Sequence, residues 1–302
     1  MTEQQPLVSI VIPCYNHAQF VQETIQSVID QDYENIELII IDDGSNDNSV
    51  EVIQEMIPAC EERFVRFEFR YRPNKGLCAT LNEGVHIAAG DIIGFCSSDD
   101  ILHKDKLKMQ VKYFSENKDI NFCYTQAYVQ DDNGQILTAA TSLANKGLHD
   151  NVTFDEVFTF KVHFPVTGMY IASFLKDELK GFDETLTAED YDISLRILSK
   201  SKAGFIKDKL YYYRSPAAIG SNRKRPVMRR DVSESHLKTI NKYKTHPLYS
   251  DALLEWNFRR FLYFSAYKAT KIYAIAGMIN STPKLKSIYF YKAAFRLVFY
   301  WK

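Results

Sequence analysis

The chain has 302 residues, 25% charged and 46% hydrophobic, with a formal net charge of −1 and only 12 Gly and 9 Pro. That length can bury a sizeable core, and the composition excludes a fibrous or disordered chain. The near-neutral total hides an uneven split: residues 222–302 carry 17 Lys/Arg against 4 Asp/Glu, whereas residues 1–221 carry 20 against 34. A basic end on an acidic body points that end toward an anionic partner.

In chain order, residues 7–12, 36–41, 64–70 and 92–96 read as strands, three of them nearly continuous apolar runs. Such runs suit parallel strands covered on both faces. Between them, residues 18–29, 49–56 and 77–89 have helical spacing, and Asp47 or Asn48 caps the second. Strand and helix alternating through short connections predict an α/β doubly wound sheet. Further along, 121–130 reads as a strand, and Asp132-Asn133-Gly134 as a hairpin turn leading into 135–137. A helix is expected over 188–199 and a late strand over 209–214.

The composition changes near Ser221, and from Val232 onward the pattern is helical, aromatic and basic. The final segment repeats Ile288, Tyr291, Phe295, Val298 and Phe299 at helical spacing, interspersed with Lys284, Lys286, Lys292 and Arg296. Apolar depth combined with positive charge is what a helix lying on an anionic membrane surface requires. No stretch approaches the ~18 apolar residues of a membrane span. Glu3 stands where a secretory signal is basic, so a cytoplasmic location is expected. The five cysteines are odd in number and widely spaced, which argues for buried thiols over a disulfide framework or a zinc site.

Three acidic clusters stand where an α/β sheet places chemistry. Asp42-Asp43-Gly44-Ser45 follows the second strand, and Ser98-Asp99-Asp100 follows the fourth. Both fall at carboxyl ends of parallel strands, the edge where open sheets bind ligands. Adjacent carboxylates repel unless a cation or donor groups compensate, and Mg²⁺ or Mn²⁺ held by one or two carboxylates plus phosphate oxygens does so. Glu189-Asp190-Tyr191-Asp192 opens the helix of 188–199. Alone it reads as dipole compensation, and it becomes a candidate general base if the fold brings it to the other two clusters.

These runs, in this order, resemble the family 2 inverting glycosyltransferases of GT-A fold, of the bacterial surface-polysaccharide type. The residues carrying the likeness are VSIVIPCYN at 8–16, IIDDGSND at 40–47, Asn74-Lys75-Gly76 with Asn82, GDIIGFCSSDD at 90–100, and Gly181-Phe182-Asp183-Glu184 followed by Glu189-Asp190. Together they cover residues 6–215. The resemblance implies a mixed GT-A sheet with helices on both faces in residues 1–221, which would bind the nucleotide sugar and carry the catalytic base. Residues 222–302 would form a helical extension that meets a membrane surface or a second copy.

By that resemblance, Pro13, Tyr15, Asn16 and Asp43 line the nucleoside pocket, with Asp43 accepting from the base and Tyr15 offering its ring. Asn74, Gly76 and Asn82 lie near the donor. Asp99 reaches the ribose or the metal, Asp100 binds the Mg²⁺ or Mn²⁺ that bridges the diphosphate, and Asp190 is the catalytic base. The implied reaction moves a hexosyl or N-acetylhexosaminyl group from a UDP-linked donor to a saccharide or lipid-linked saccharide, at the inner face of the cytoplasmic membrane.

Three departures stand out. Ser97 occupies the position of the first carboxylate of the family's DxD. Tyr213-Arg214 is followed by Ser215-Pro216-Ala217 where many members have a His, which leaves Arg214 either to serve the diphosphate or to act as a structural arginine. Leu81 precedes Asn82 where an Arg is common. The missing carboxylate motivates an alternative, an inactive scaffold protein. A sugar nucleotidyltransferase is disfavoured because residues 11–16 lack a Gly-rich basic phosphate loop. Nucleic acid is not expected as a partner, because the acidic body would repel a phosphate backbone. The basic run from Arg223-Lys224-Arg225 to Arg229-Arg230 either closes over the nucleotide or is simply solvated, and His163, with Pro165 and Gly168, either borders the acceptor pocket or is a core or solvent-exposed histidine.

Overall fold

A computed structural model describes residues 5–215 and 228–300. The first half alternates as expected: β1 (Val8–Cys14), α1 (Val21–Ile29), β2 (Ile36–Asp42), α2 (Ser49–Arg63), β3 (Arg66–Tyr71), α3 (Leu77–Ile87) and β4 (Ile92–Phe95). There follow a short β5 (Ile101–Leu102), α4 (Lys106–Glu116), β6 (Phe122–Gln130), α5 (Thr138–Ala144), α6 (Phe154–Phe158), β7 (Met169–Ile171), α7 (Asp190–Leu198) and β8 (Ala203–Arg214). Four helices close the chain: α8 (Arg230–Lys242), α9 (Tyr249–Phe264), α10 (Lys271–Ile279) and α11 (Ile288–Phe299).

The eight strands form one mixed sheet in the order β3-β2-β1-β4-β7-β6-β8-β5. β3, β2, β1 and β4 are mutually parallel, and β7 runs antiparallel between β4 and β6. The strand period of two sends alternate side chains to opposite faces. Ile10, Ile12, Leu38 and Ile40 pack against α1, α2 and α4 on one side. Val11, Ile39 and Ile41 pack against α3 and α7 on the other, in a core that also takes Ile240 of α8 and Trp256 of α9. Burial on both faces accounts for the continuous apolar runs. All five cysteines are free and buried.

Several elements depart from the sequence reading, among them β8, which begins at Ala203 and not near Lys209. α2 continues past Met56 to Arg63 with Pro58 inside it. Pro58 is on the exposed side of the helix, while buried Met56 and Cys60 hold it to the sheet. The turn at Asp132-Asn133-Gly134 forms, but the return strand reduces to a single bridge between Gln130 and Ile136 before the unforeseen α5 begins.

The last helices make a small core of their own. Phe258, Phe261, Phe264, Ala274, Phe290 and Ala293 are buried together. The opposite side of α11 is open: Tyr289, Tyr291, Phe295, Val298 and Phe299 are each more than half exposed. No helix among the described residues is long and apolar enough to cross a membrane.

Candidate active site

The carboxyl ends of β1, β2 and β4 border a cleft of about 590 Å³. Pro13, Tyr15, Asp43, Asn74, Gly76 and Asp99, all predicted, line it. His17, Ser97, Ser98, Thr187 and Arg229 line it as well.

The paired carboxylates after β2 divide their work. Asp42 builds the turn, accepting from the backbone N–H of Gly44 and Ser45 and from the Ser45 hydroxyl. Asp43 faces the cleft and folds the opposite wall onto itself. It accepts from the N–H groups of Lys75 (2.8 Å) and Gly76 (2.9 Å), and Arg72 pairs with it. Arg72 is held in turn by Glu83 and Thr80, and Asn74 donates to the Asp43 carbonyl at 2.8 Å. Gly44 must be glycine for two reasons: its φ is +77°, and a Cβ there would lie 2.6 Å from the Asn74 nitrogen.

The pair after β4 also divides, and here the sequence reading needs correction. Asp100, expected on the metal, is fully buried and faces away from the cleft. One of its oxygens accepts from the Arg214 backbone N–H at 2.7 Å and the other from the Tyr211 hydroxyl at 2.8 Å. Burial, reinforced by the neighbouring Asp99 charge, pushes its carboxyl well above the usual range. Asp99 is the cleft carboxylate.

Arg214, expected on the diphosphate, is buried behind the same loop. Its guanidinium donates to the carbonyls of Asp99, Asp131 and Asp132 and to Glu23, and it stacks over Phe20. Asn16 and Asn82 likewise serve the scaffold. Asn16, at φ +56°, bridges to Ser45 and Asn46. Asn82 staples α3 to Phe182 through its carbonyl and N–H, and it leaves no room for a Cβ at Gly181. Of the basic run, Arg223, Lys224 and Arg225 lie outside the described residues. Arg229 stands on the cleft rim, paired with Asp231.

A second cavity, of about 100 Å³, shares Pro13, Leu77 and Ser97 with the cleft. Its lining is mostly apolar, with Glu189 and Asp190 at the start of α7 as its charged groups. The third acidic cluster is therefore brought to the first two. Asp190 accepts from the Tyr191 N–H at 2.7 Å, and His163 Nε2 lies 3.2 Å from its other oxygen. His163 thus stands beside Asp190, on the side where the sequence left open an acceptor-pocket histidine. Burial alone would raise the Asp190 carboxyl, but the hydrogen bond and charge of His163 outweigh it and hold that group well below the usual carboxylate range. Glu189 goes the other way, up to about 7, through burial and the adjacent Asp190 charge.

That opposition has a measurable consequence. A carboxyl at about 7 in the folded chain and near 4.5 when unfolded costs nothing below pH 4.5. Stability is then lost as pH rises through about 7. Glu189→Gln is expected to melt above the wild type at pH 8 and to match it near pH 4.5, as read by melting temperature against pH.

Among the described residues no group of three or more His, Cys, Asp or Glu is placed to hold a metal ion. The cleft offers Asp99 with His17 3.8 Å away. This set fits a Mg²⁺- or Mn²⁺-like ion that takes most of its ligands from a diphosphate and water.

Residues 9–175 match the family model described as glycosyl transferase family 2. An uncharacterized glycosyltransferase of Methanocaldococcus jannaschii is 30% identical over 218 residues, 70% of this chain and 72% of that protein. Another, of Rickettsia conorii, is 32% identical over 205 residues; the match spans 67% of this chain but only 32% of that longer protein. Among solved structures, a fragment of Staphylococcus aureus TarS in complex with UDP-GlcNAc superposes with a TM-score of 0.66 at 18% identity, covering 96% of this chain and 88% of that one. The fold is of GT-A type, as the motif order implied.

Proposed function

The chain belongs to glycosyl transferase family 2, and on that premise we propose that it moves a sugar from a UDP-linked donor to a saccharide or lipid-linked saccharide acceptor with inversion. The observation that carries this reading is the placement of Asp190 in a cavity that adjoins the Asp43–Asp99 cleft. The nucleotide lies in the cleft, its base against Tyr15 and the Asp43 wall and its diphosphate toward Asp99 and Arg229. The acceptor hydroxyl enters on the Asp190 side, where the carboxylate takes its proton as the oxygen attacks the anomeric carbon opposite the diphosphate. One displacement inverts that carbon. Asp99 would hold a divalent cation, which would supply positive charge to the departing diphosphate.

Thermal shift against UDP, GDP and their sugars, with and without Mn²⁺, tests the donor site. A nucleotide at 100 times its Kd adds roughly 2.7 kcal/mol. UDP is expected to shift the wild type, and Asp43→Ala to abolish the shift. No shift with any nucleotide would favour the scaffold alternative.

We assign the acceptor to a membrane surface, in surface polysaccharide synthesis, on the strength of α11. Its exposed aromatic side carries Lys292 and Arg296, and Phe290 and Ala293 anchor the opposite side. Cosedimentation with phosphatidylglycerol vesicles is expected for the wild type and lost in Phe295→Glu/Phe299→Glu, which alters only exposed positions. Binding that survives the double substitution overturns the assignment, and a salt-insensitive dimer built on the same residues replaces it.

A further inference from the structure

Position 97 holds Ser where the family's DxD begins with a carboxylate, and no His stands between His163 and His236. The two side chains that would complete a cation site beside Asp99 are therefore missing from the chain. His17 stands beside Asp99. Its Nε2 lies 3.8 Å from Asp99 Oδ2, and both residues line the donor cleft. One cation bonded to each atom at about 2.1 Å can bridge a separation of up to ~4.2 Å.

The imidazole is also prepared for such a role. Its Nδ1 shares a 2.8 Å hydrogen bond with the buried Ser98 hydroxyl, which turns Nε2 toward Asp99. A metal-binding histidine is usually fixed this way, through its other nitrogen. The loop that carries it is braced residue by residue. The N–H of Asn16 donates to Ser45, that of His17 to Ser49 and that of Ala18 to Asp47. So many ties on a short connection hold the ring in one place and cut the ordering cost of capturing an ion.

We infer that His17 is a protein ligand of the divalent cation that accompanies the nucleotide diphosphate, with Asp99 as the second. The diphosphate and water complete the shell. The inference rests on the donor-site reading above. An imidazole in the set also favours Mn²⁺ over Mg²⁺, because nitrogen ligands bind the transition ion better than the alkaline-earth one.

The test uses the full chain, UDP, and Mn²⁺ or Mg²⁺. Mn²⁺ affinity is read from the electron spin resonance of free Mn²⁺, and UDP affinity by calorimetry. In the wild type with UDP, spin-echo modulation from an imidazole ¹⁴N is expected on the bound Mn²⁺. His17→Gln should lose that modulation, weaken Mn²⁺ binding more than about tenfold and erase the preference over Mg²⁺. Its ligand-free thermal unfolding should match that of the wild type, which shows that the variant is folded. Ser98→Ala should weaken Mn²⁺ binding less while keeping the modulation. A His17→Gln protein that binds Mn²⁺ and UDP like the wild type overturns the inference and leaves the donor site standing. A wild type that binds neither UDP nor Mn²⁺ overturns both.

Discussion

Asp190→Asn is expected to lower kcat by roughly 10²–10⁴-fold, the usual worth of a positioned general base, and to leave UDP affinity unchanged. The asymmetry follows from the two cavities. Asp190 lines the smaller one and is absent from the cleft in which the nucleotide is placed. His163, 3.2 Å away, keeps the carboxylate ionised. His163→Gln should therefore retain part of kcat while moving the acid limb of its pH profile upward, because the carboxyl then protonates at a higher pH. Glu189, with its carboxyl raised to about 7, is the one neighbour able to compete for the role. If Glu189→Gln costs as much kcat as Asp190→Asn, the assignment passes to Glu189. If it costs little, Asp190 is the base and Glu189 acts through its charge alone.

What could be read from the chain, and what could not, divides along a physical line. The β1-to-β4 alternation was legible because burial on both faces leaves a continuous apolar run, a purely local signature. The places expected of Asp43 and Asp190 came from the motif resemblance, and each residue does line a cavity. The Asp99–Asp100 pair was not legible, since adjacency in the chain does not say which of two neighbours faces inward. That is decided by Tyr211 and Arg214, more than 100 residues away. His17 and Arg72 escaped for the same reason, and His163 stood only as one reading among several. Each gains its meaning from a partner that only folding supplies, respectively Ser98 with Asp99, Asp43, and Asp190. Asn82 shows the reverse error: a motif residue counted as a donor contact turns out to staple α3 to the loop at Phe182.

Arg214 gives the sharpest separation between the two kinds of role. As a diphosphate ligand, its loss would weaken UDP binding and leave stability alone. As the buried clamp seen here, its loss removes the guanidinium's hydrogen bonds to the carbonyls of Asp99, Asp131 and Asp132, of which the one to Asp131 is fully buried and costs about 1–3 kcal/mol when broken, and removes the packing over Phe20. Glu23 matters less, being more than half exposed and free to hydrate. Arg214→Met keeps the aliphatic packing and removes the donors, so we expect a loss of at least about 3 kcal/mol, read as a lower urea midpoint with an unchanged slope. Arg214→Lys should recover little of it, because one ammonium cannot span acceptors that the planar guanidinium reaches from several sides. At low temperature, where the variant is still folded, UDP affinity should fall only as far as the Asp99 loop loosens. A variant as stable as the wild type but unable to bind UDP would return Arg214 to the diphosphate.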